Sequence, residues 1–169
     1  MLEIYCIDTS SLMELERRYP RGRFQRVWQH IEQLIDADRL IAPREVLHEL
    51  RQGDDALLRW AKTKSSMFKP IDSEQAKAVS LILSHCPALI DPMKETPQAD
   101  PFLIALAKVE GVKGGSLFKV PHIVVTQEGR NSPIKIPQVC KRMGVDSVNL
   151  LGLFERENWQ WTNSEWLDC

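Results

Sequence analysis

An α/β domain with a mainly parallel sheet and right-handed crossovers is the fold class the sequence predicts, on three observations. Short strand-forming runs (LEIYCI, RLIAP, HIVVT, DSVNL) alternate along the chain with segments of helical period. LEIYCI is apolar on both faces apart from Glu3, as suits an internal parallel strand. The 169 residues hold no internal repeat, no low-complexity stretch and no composition break, and they suffice for one core.

The first strand stops on Asp8, followed at once by the hydroxyl residues Thr9, Ser10 and Ser11. FQRVWQHIEQLIDA then places Phe24, Val27, Trp28, Ile31, Leu34 and Ile35 at helical spacing, which predicts a helix with one apolar face. RLIAP reads as a second strand, and Pro43 opens a helix to about Gln52. Helices are expected around residues 55–65 and 73–85, the latter introduced by Asp72 and Gln75 at capping-box spacing. Residues 86–99 carry three prolines and read as loop. DPFLIALAKVEG is the next helix, with Asp100 at the N-cap, Pro101 at the first helical position and Gly111 at the stop. After the loop KGGSLFKVP, HIVVT is a strand and PQVCKRMG a short helix. DSVNL and LLGLFEREN are the last strand and helix, and a Trp-rich tail, residues 158–169, is left unplaced.

Composition narrows the function classes. No apolar run approaches the roughly 20 residues that span a bilayer. No basic segment precedes the N-terminal apolar run, so neither a membrane anchor nor a secretory signal is expected. Cys6, Cys86, Cys140 and Cys169 form no C-x-x-C pair, which argues against a disulfide framework or cysteine zinc site and for a reduced, cytoplasmic setting. The net charge of −1 hides a stretch, Arg17 to Arg26, with five arginines and no acid. Such a face holds phosphates or is simply solvated.

Ligands of open α/β sheets gather beyond the carboxyl ends of the strands. Asp8 stands there after the first strand, and Thr126, Gln127 and Glu128 after HIVV. Asp100 opens a helix, at a positive dipole end, and Glu49 lies at the edge of the apolar face of the helix after Pro43. Four acids are therefore expected to converge on one rim. Two like charges about 4 Å apart repel by roughly 4 kcal/mol at an effective dielectric near 20. Four need protons or a divalent cation, and oxygen ligands without Cys or His favour Mg²⁺ or Mn²⁺. That chemistry suits metal-assisted phosphodiester hydrolysis.

Each of these residues also has a plain structural reading. Asp8 suits a turn, Asp100 a helix cap, Glu49 a solvated helix face and Glu128 a loop; Glu45 lies on the same face as Glu49. Ser10 and Thr126 either satisfy strand-end amides or orient a carboxylate. His30, His48, His85 and His122 share no ligand spacing, Cys6 reads as a small buried strand residue, and Trp28 and Trp60 read as core.

YCIDTSSL, PREVLHEL, ADPFLIALA and VVTQEG together resemble the four signature segments of PIN-domain nucleases, including the VapC-type toxins. The matching residues are Asp8 with Thr9 and Ser10; Pro43, Val46 and Glu49; Asp100 with Leu103, Ile104, Ala105 and Ala107; and Thr126 with Glu128. Only this resemblance favours Glu49 over Glu45 and makes Glu45 the control acid. IKIPQVCKRMGVDSVNLLGLF resembles a less-studied PIN subfamily of small bacterial proteins, and the resemblance covers residues 2 to about 157. It implies a three-layer α/β/α sandwich over residues 1–157, and a Mg²⁺- or Mn²⁺-dependent endoribonuclease leaving 5′-phosphate and 3′-hydroxyl ends. Asp8, Glu49, Asp100 and Glu128 would be the metal and catalytic residues, with Ser10 and Thr126 behind them. Arg17, Arg18, Arg21, Arg23 and Arg26 are then candidates to hold the RNA backbone. The resemblance also implies the toxin of a toxin–antitoxin pair, a homodimer inhibited by a partner antitoxin. One departure is clear: Glu128 stands where the family usually has Asp. Two rivals remain: an Asp-nucleophile phosphatase, which needs a second Asp where this chain has Ser10, and a non-catalytic RNA- or protein-binding module on the same fold.

Overall fold

Successive side chains of a strand point to opposite faces of its sheet, so a strand apolar throughout has to be covered twice. β1 (Ile4–Ile7) meets that condition: Tyr5 and Ile7 are fully buried on one face and Cys6 on the other. The computed structural model describes residues 2–53, 55–96, 98–113, 115 and 117–160. β1 pairs on either side with β2 (Leu40–Pro43) and β4 (His122–Val125). β3 (Phe68–Lys69) and β5 (Ser147–Val148) form the edges, giving the order β3-β2-β1-β4-β5. Every pairing is parallel, so the expected mainly parallel sheet is all-parallel among the described residues.

The two apolar faces make two cores. One lies under α1 (Thr9–Arg18), α2 (Gln25–Asp36), α3 (Arg44–Leu50), α4 (Asp55–Thr63) and α8 (Leu150–Arg156). Leu12, Leu15, Ile31, Val46, Leu57 and Leu153 are among its fully buried aliphatics from the helices. The other lies under α5 (Ser73–His85), α6 (Asp100–Glu110) and α7 (Ile136–Met143), with Ile82, Leu103, Ile104 and Val139 at its centre. The result is the three-layer α/β/α sandwich. Trp28 and Trp60 are core residues, packed edge to face at 4.8 Å. Cys6, Cys86 and Cys140 are buried free thiols, and no helix among the described residues is long and apolar enough to cross a membrane.

Several local expectations need correction. α1 was not anticipated, although Leu12, Leu15 and Tyr19 share a helical face and Asp8 caps it by accepting the Ser11 N–H at 2.6 Å. β3 is only two residues long, too short to show a period. α5 has half of its capping box: Asp72 accepts the Gln75 N–H at 2.7 Å, but the Gln75 side chain donates to Glu110 at 3.0 Å. α6 has Ala99 as its N-cap, so Asp100 is the first helical residue and does not cap it. α7 stops as expected on Gly144, whose φ of 70° is left-handed. The tail begins by docking: Trp159 stacks on Phe154 at 5.1 Å and on His30 at 5.0 Å. Residues 161–169, with the rest of the Trp-rich segment and Cys169, lie outside the described residues.

Candidate active site

In a parallel sheet every strand delivers its carboxyl end to the same edge. β1 hands over Asp8, β2 leads through α3 to Glu49, and β4 leads to Thr126 and Glu128. α6 begins at this edge with Asp100.

Asp8 is the fixed point, 3% exposed. Its Oδ1 accepts the Ser11 N–H at 2.6 Å, and its Oδ2 accepts the hydroxyls of Ser10 and Thr126, each at 2.6 Å. Burial pushes its pKa up, against the downward pull of those donors. Ser10 in turn accepts the Gln127 N–H at 3.3 Å and Thr126 the Glu128 N–H at 3.1 Å, so each hydroxyl both satisfies a strand-end amide and orients the carboxylate. Ser10 and Thr126 thus make both kinds of hydrogen bond at once.

Glu49 ties three elements together. Its Oε1 accepts the Ala99 N–H at 2.7 Å, just before α6, and its Oε2 accepts the Thr9 hydroxyl at the start of α1. Glu128 accepts the Ile136 N–H at 2.8 Å, at the opening of α7, and pairs with Lys135 at 3.2 Å. Lys135 and the amides of Ala99 and Ile136 carry no signal in the sequence that assigns them to this site. Thr9 alone was legible, as the hydroxyl next to Asp8. The control acid Glu45 lies one turn before Glu49 on α3, does not line the cleft, and has its Oε2 buried and unpartnered.

Asp100 differs from the other three. Its carboxylate accepts no hydrogen bond among the described residues, and its pKa is pushed up to about 7. Burial is the largest cause, followed by the charges of Glu128, Glu49 and Asp8; Lys135 pulls the other way. That coupling shows the four acids share one electrostatic neighbourhood. A cleft of about 270 Å³ opens here, lined by Glu49, Asp100, Glu128, Lys94, Gln98 and Lys135. No histidine lines it; His85 and His122 hold the backbone carbonyls of Leu81 and Val120, each at 2.9 Å.

The acids suit a hard divalent ion in donor type and in uncompensated charge, and Asp100 lines the cleft without a hydrogen bond among the described residues. As the side chains stand, no group of three or more His, Cys, Asp or Glu among the described residues is gathered to hold a metal. A cation would have to draw these carboxylates closer together.

The arginines of residues 17–26 lie elsewhere. α1 starts at the Asp8 edge and runs ten residues away from it, about 15 Å at the helical rise. At its far end Arg17 and Arg18 both pair with Glu14, and Arg21 pairs with Glu16 while lying over Trp28 at 5.2 Å. Arg23 and Arg26 are exposed.

Fold and rim together define an all-parallel α/β protein with an acidic cluster at the carboxyl edge of its sheet. The chain belongs to the family described as Domain of unknown function (DUF4411), whose family model matches residues 5–161 and spans all four acids. No curated protein and no solved structure matches it.

Proposed function

We propose that this chain is a metal-dependent endoribonuclease that hydrolyses RNA phosphodiester bonds, with Asp8, Glu49, Asp100 and Glu128 holding Mg²⁺ or Mn²⁺. The observation that carries the reading is Asp100: a half-buried carboxylate without a hydrogen bond, pressed by three other acids. An open carboxylate in such a field gains most from a bound cation. When bound, the ion neutralises the attacked phosphate and activates a water. The residues of the chain do the positioning. Ser10, Ser11 and Thr126 hold Asp8 in one orientation. Thr9 and the Ala99 amide hold Glu49, and Lys135 offsets part of the negative charge at Glu128.

In this reading the protein acts in the cytoplasm as the toxin of a toxin–antitoxin pair, dimeric and restrained by an antitoxin protein. Support for that role comes from the resemblance of the four signature segments alone. A second reading, a non-catalytic RNA- or protein-binding module, draws on the occupied oxygens of Glu128 and on the open spacing of the acids.

Purified protein with Mn²⁺ is expected to cut single-stranded RNA, leaving 5′-phosphate ends, and Asp8→Asn to remove the activity. Cleavage by Asp8→Asn at the wild-type rate contradicts the proposal. Failure of the wild-type protein to cut with Mn²⁺ or Mg²⁺ favours the binding module.

A further inference from the structure

The cleft that holds Glu49, Asp100 and Glu128 adjoins a second depression, and Glu128 lines both. The second is a groove of about 820 Å³ beyond β4 and β5, lined among others by Gln127, Arg130, Asn149 and Arg156. Glu128 is common to both linings, so the groove and the acidic cleft lie side by side at that residue.

Each depression carries an exposed cation without an ion-pair partner among the described residues. In the cleft it is Lys94, since Lys135 is engaged by Glu128. In the groove it is Arg130, since Arg156 is engaged by Glu3 at 2.6 Å. Both sit on loops held by a glutamine side chain. Gln98 accepts the Asp91 N–H at 2.6 Å and donates to the Asp91 carbonyl at 2.7 Å, closing the loop that carries Lys94. Gln138 donates to the carbonyl of Arg130 itself at 2.6 Å. Amide clips of this kind reduce the freedom each loop backbone loses on binding.

A polyanion crossing the rim meets repulsion from the acids at the centre, so its affinity has to come from cations on either side. An unpaired strand is flexible enough to bring single phosphates to cations in two neighbouring depressions. We infer that a single RNA strand crosses the acidic rim through the groove and the cleft, with Arg130 and Lys94 holding phosphates on opposite sides of the cut. This rests on the ribonuclease reading and deepens it. It places the strand's phosphate contacts here and not along residues 17–26. Room for the strand on both sides of Glu128 is what cleavage within a chain requires.

The test measures binding of a fluorescent single-stranded RNA to full-length protein carrying Asp100→Asn, across a salt series without metal, beside cleavage by otherwise wild-type protein with Mn²⁺. Lys94→Ala and Arg130→Ala are each expected to weaken binding roughly fivefold and to flatten the log–log salt dependence by about 0.7. The double variant flattens it by about 1.4. Both side chains are exposed, so melting temperature should not move. Arg17→Ala with Arg23→Ala, the competing arm, should leave the slope unchanged. If the protein binds and cuts RNA but the double variant keeps the full slope, or the Arg17/Arg23 variant loses it, the track is wrong while the nuclease stands. If the protein neither binds nor cuts, the nuclease reading falls and the track with it.

Discussion

The two ends of the sheet carry charge in opposite ways. At the amino ends of the strands, Glu3 and Glu157 meet Arg39 and Arg156. Arg39 grips Glu157 with two nitrogens, at 2.5 and 2.9 Å, and its Nε donates to the Glu3 carbonyl at 3.0 Å. The Tyr5 hydroxyl donates to Glu157 at 2.7 Å, and Arg156 reaches Glu3 at 2.6 Å. Acid and base balance there. At the carboxyl ends, Asp8, Glu49, Asp100 and Glu128 outnumber the cations beside them, and among the described residues Lys135 is the cation paired with one of them. A paired network closes the fold, whereas an unpaired one costs stability and stays open to a cationic ligand.

The sharpest way to break the comparison is at the open end. Asp8→Asn or Asp100→Asn is expected to lower Mn²⁺-dependent cleavage about 100-fold or more, read as kcat/KM. Loss of one member of the balanced end, Glu157→Gln, should leave cleavage within about twofold.

Stability separates the two ends by sign. Asp100 has a folded-state pKa of about 7, above its ordinary 3.8. The unfolded chain therefore releases this proton first as pH rises, and the folded state loses stability between about pH 4 and pH 7. The loss is complete above pH 7. Asp100→Asn removes it and is expected to raise the melting temperature of metal-free protein at pH 8 by several degrees. The gain vanishes near pH 4, and saturating Mn²⁺ narrows it. A melting temperature unchanged by Asp100→Asn at pH 8 would remove the strain from the open end.

Glu157 runs the other way. Burial pushes its carboxyl up, but Arg39 and Tyr5 outweigh that and hold it below the ordinary range. Its stabilisation is present at neutral pH and disappears as acid protonates it. Arg39→Ala, at this partly buried pair, should cost about 1–3 kcal/mol at pH 7, and less below pH 4. Arg17→Ala, whose pair with Glu14 is solvent-exposed, should leave the melting temperature unchanged.

These two ends were unequally legible in sequence. The acids could be read because strand ends in an α/β fold share an edge, and Asp8 and Glu128 each follow an apolar run. The balanced end could not: Arg39 and Glu157 are 118 positions apart and meet only once β2 and α8 have packed. At Asp100 the reading slipped by one position, because Asp-Pro suits a helix cap or a first turn equally well. The slip mattered chemically, since a capping carboxylate would spend its oxygens on helix amides. α1 was hidden by the charged stretch that ends it, although Leu12 and Leu15 already showed its buried face. β3, two residues long, carries no pattern to read.

Binding of Mn²⁺ at pH 7.5, followed by titration calorimetry, tests the central claim most directly. Wild-type protein should bind the ion saturably, and Asp8→Asn and Asp100→Asn should each weaken binding at least tenfold, while Glu157→Gln binds as wild type does. No saturable binding to the wild-type protein, or equal binding by all four, would contradict the claim that the carboxyl edge is kept unbalanced for a cation.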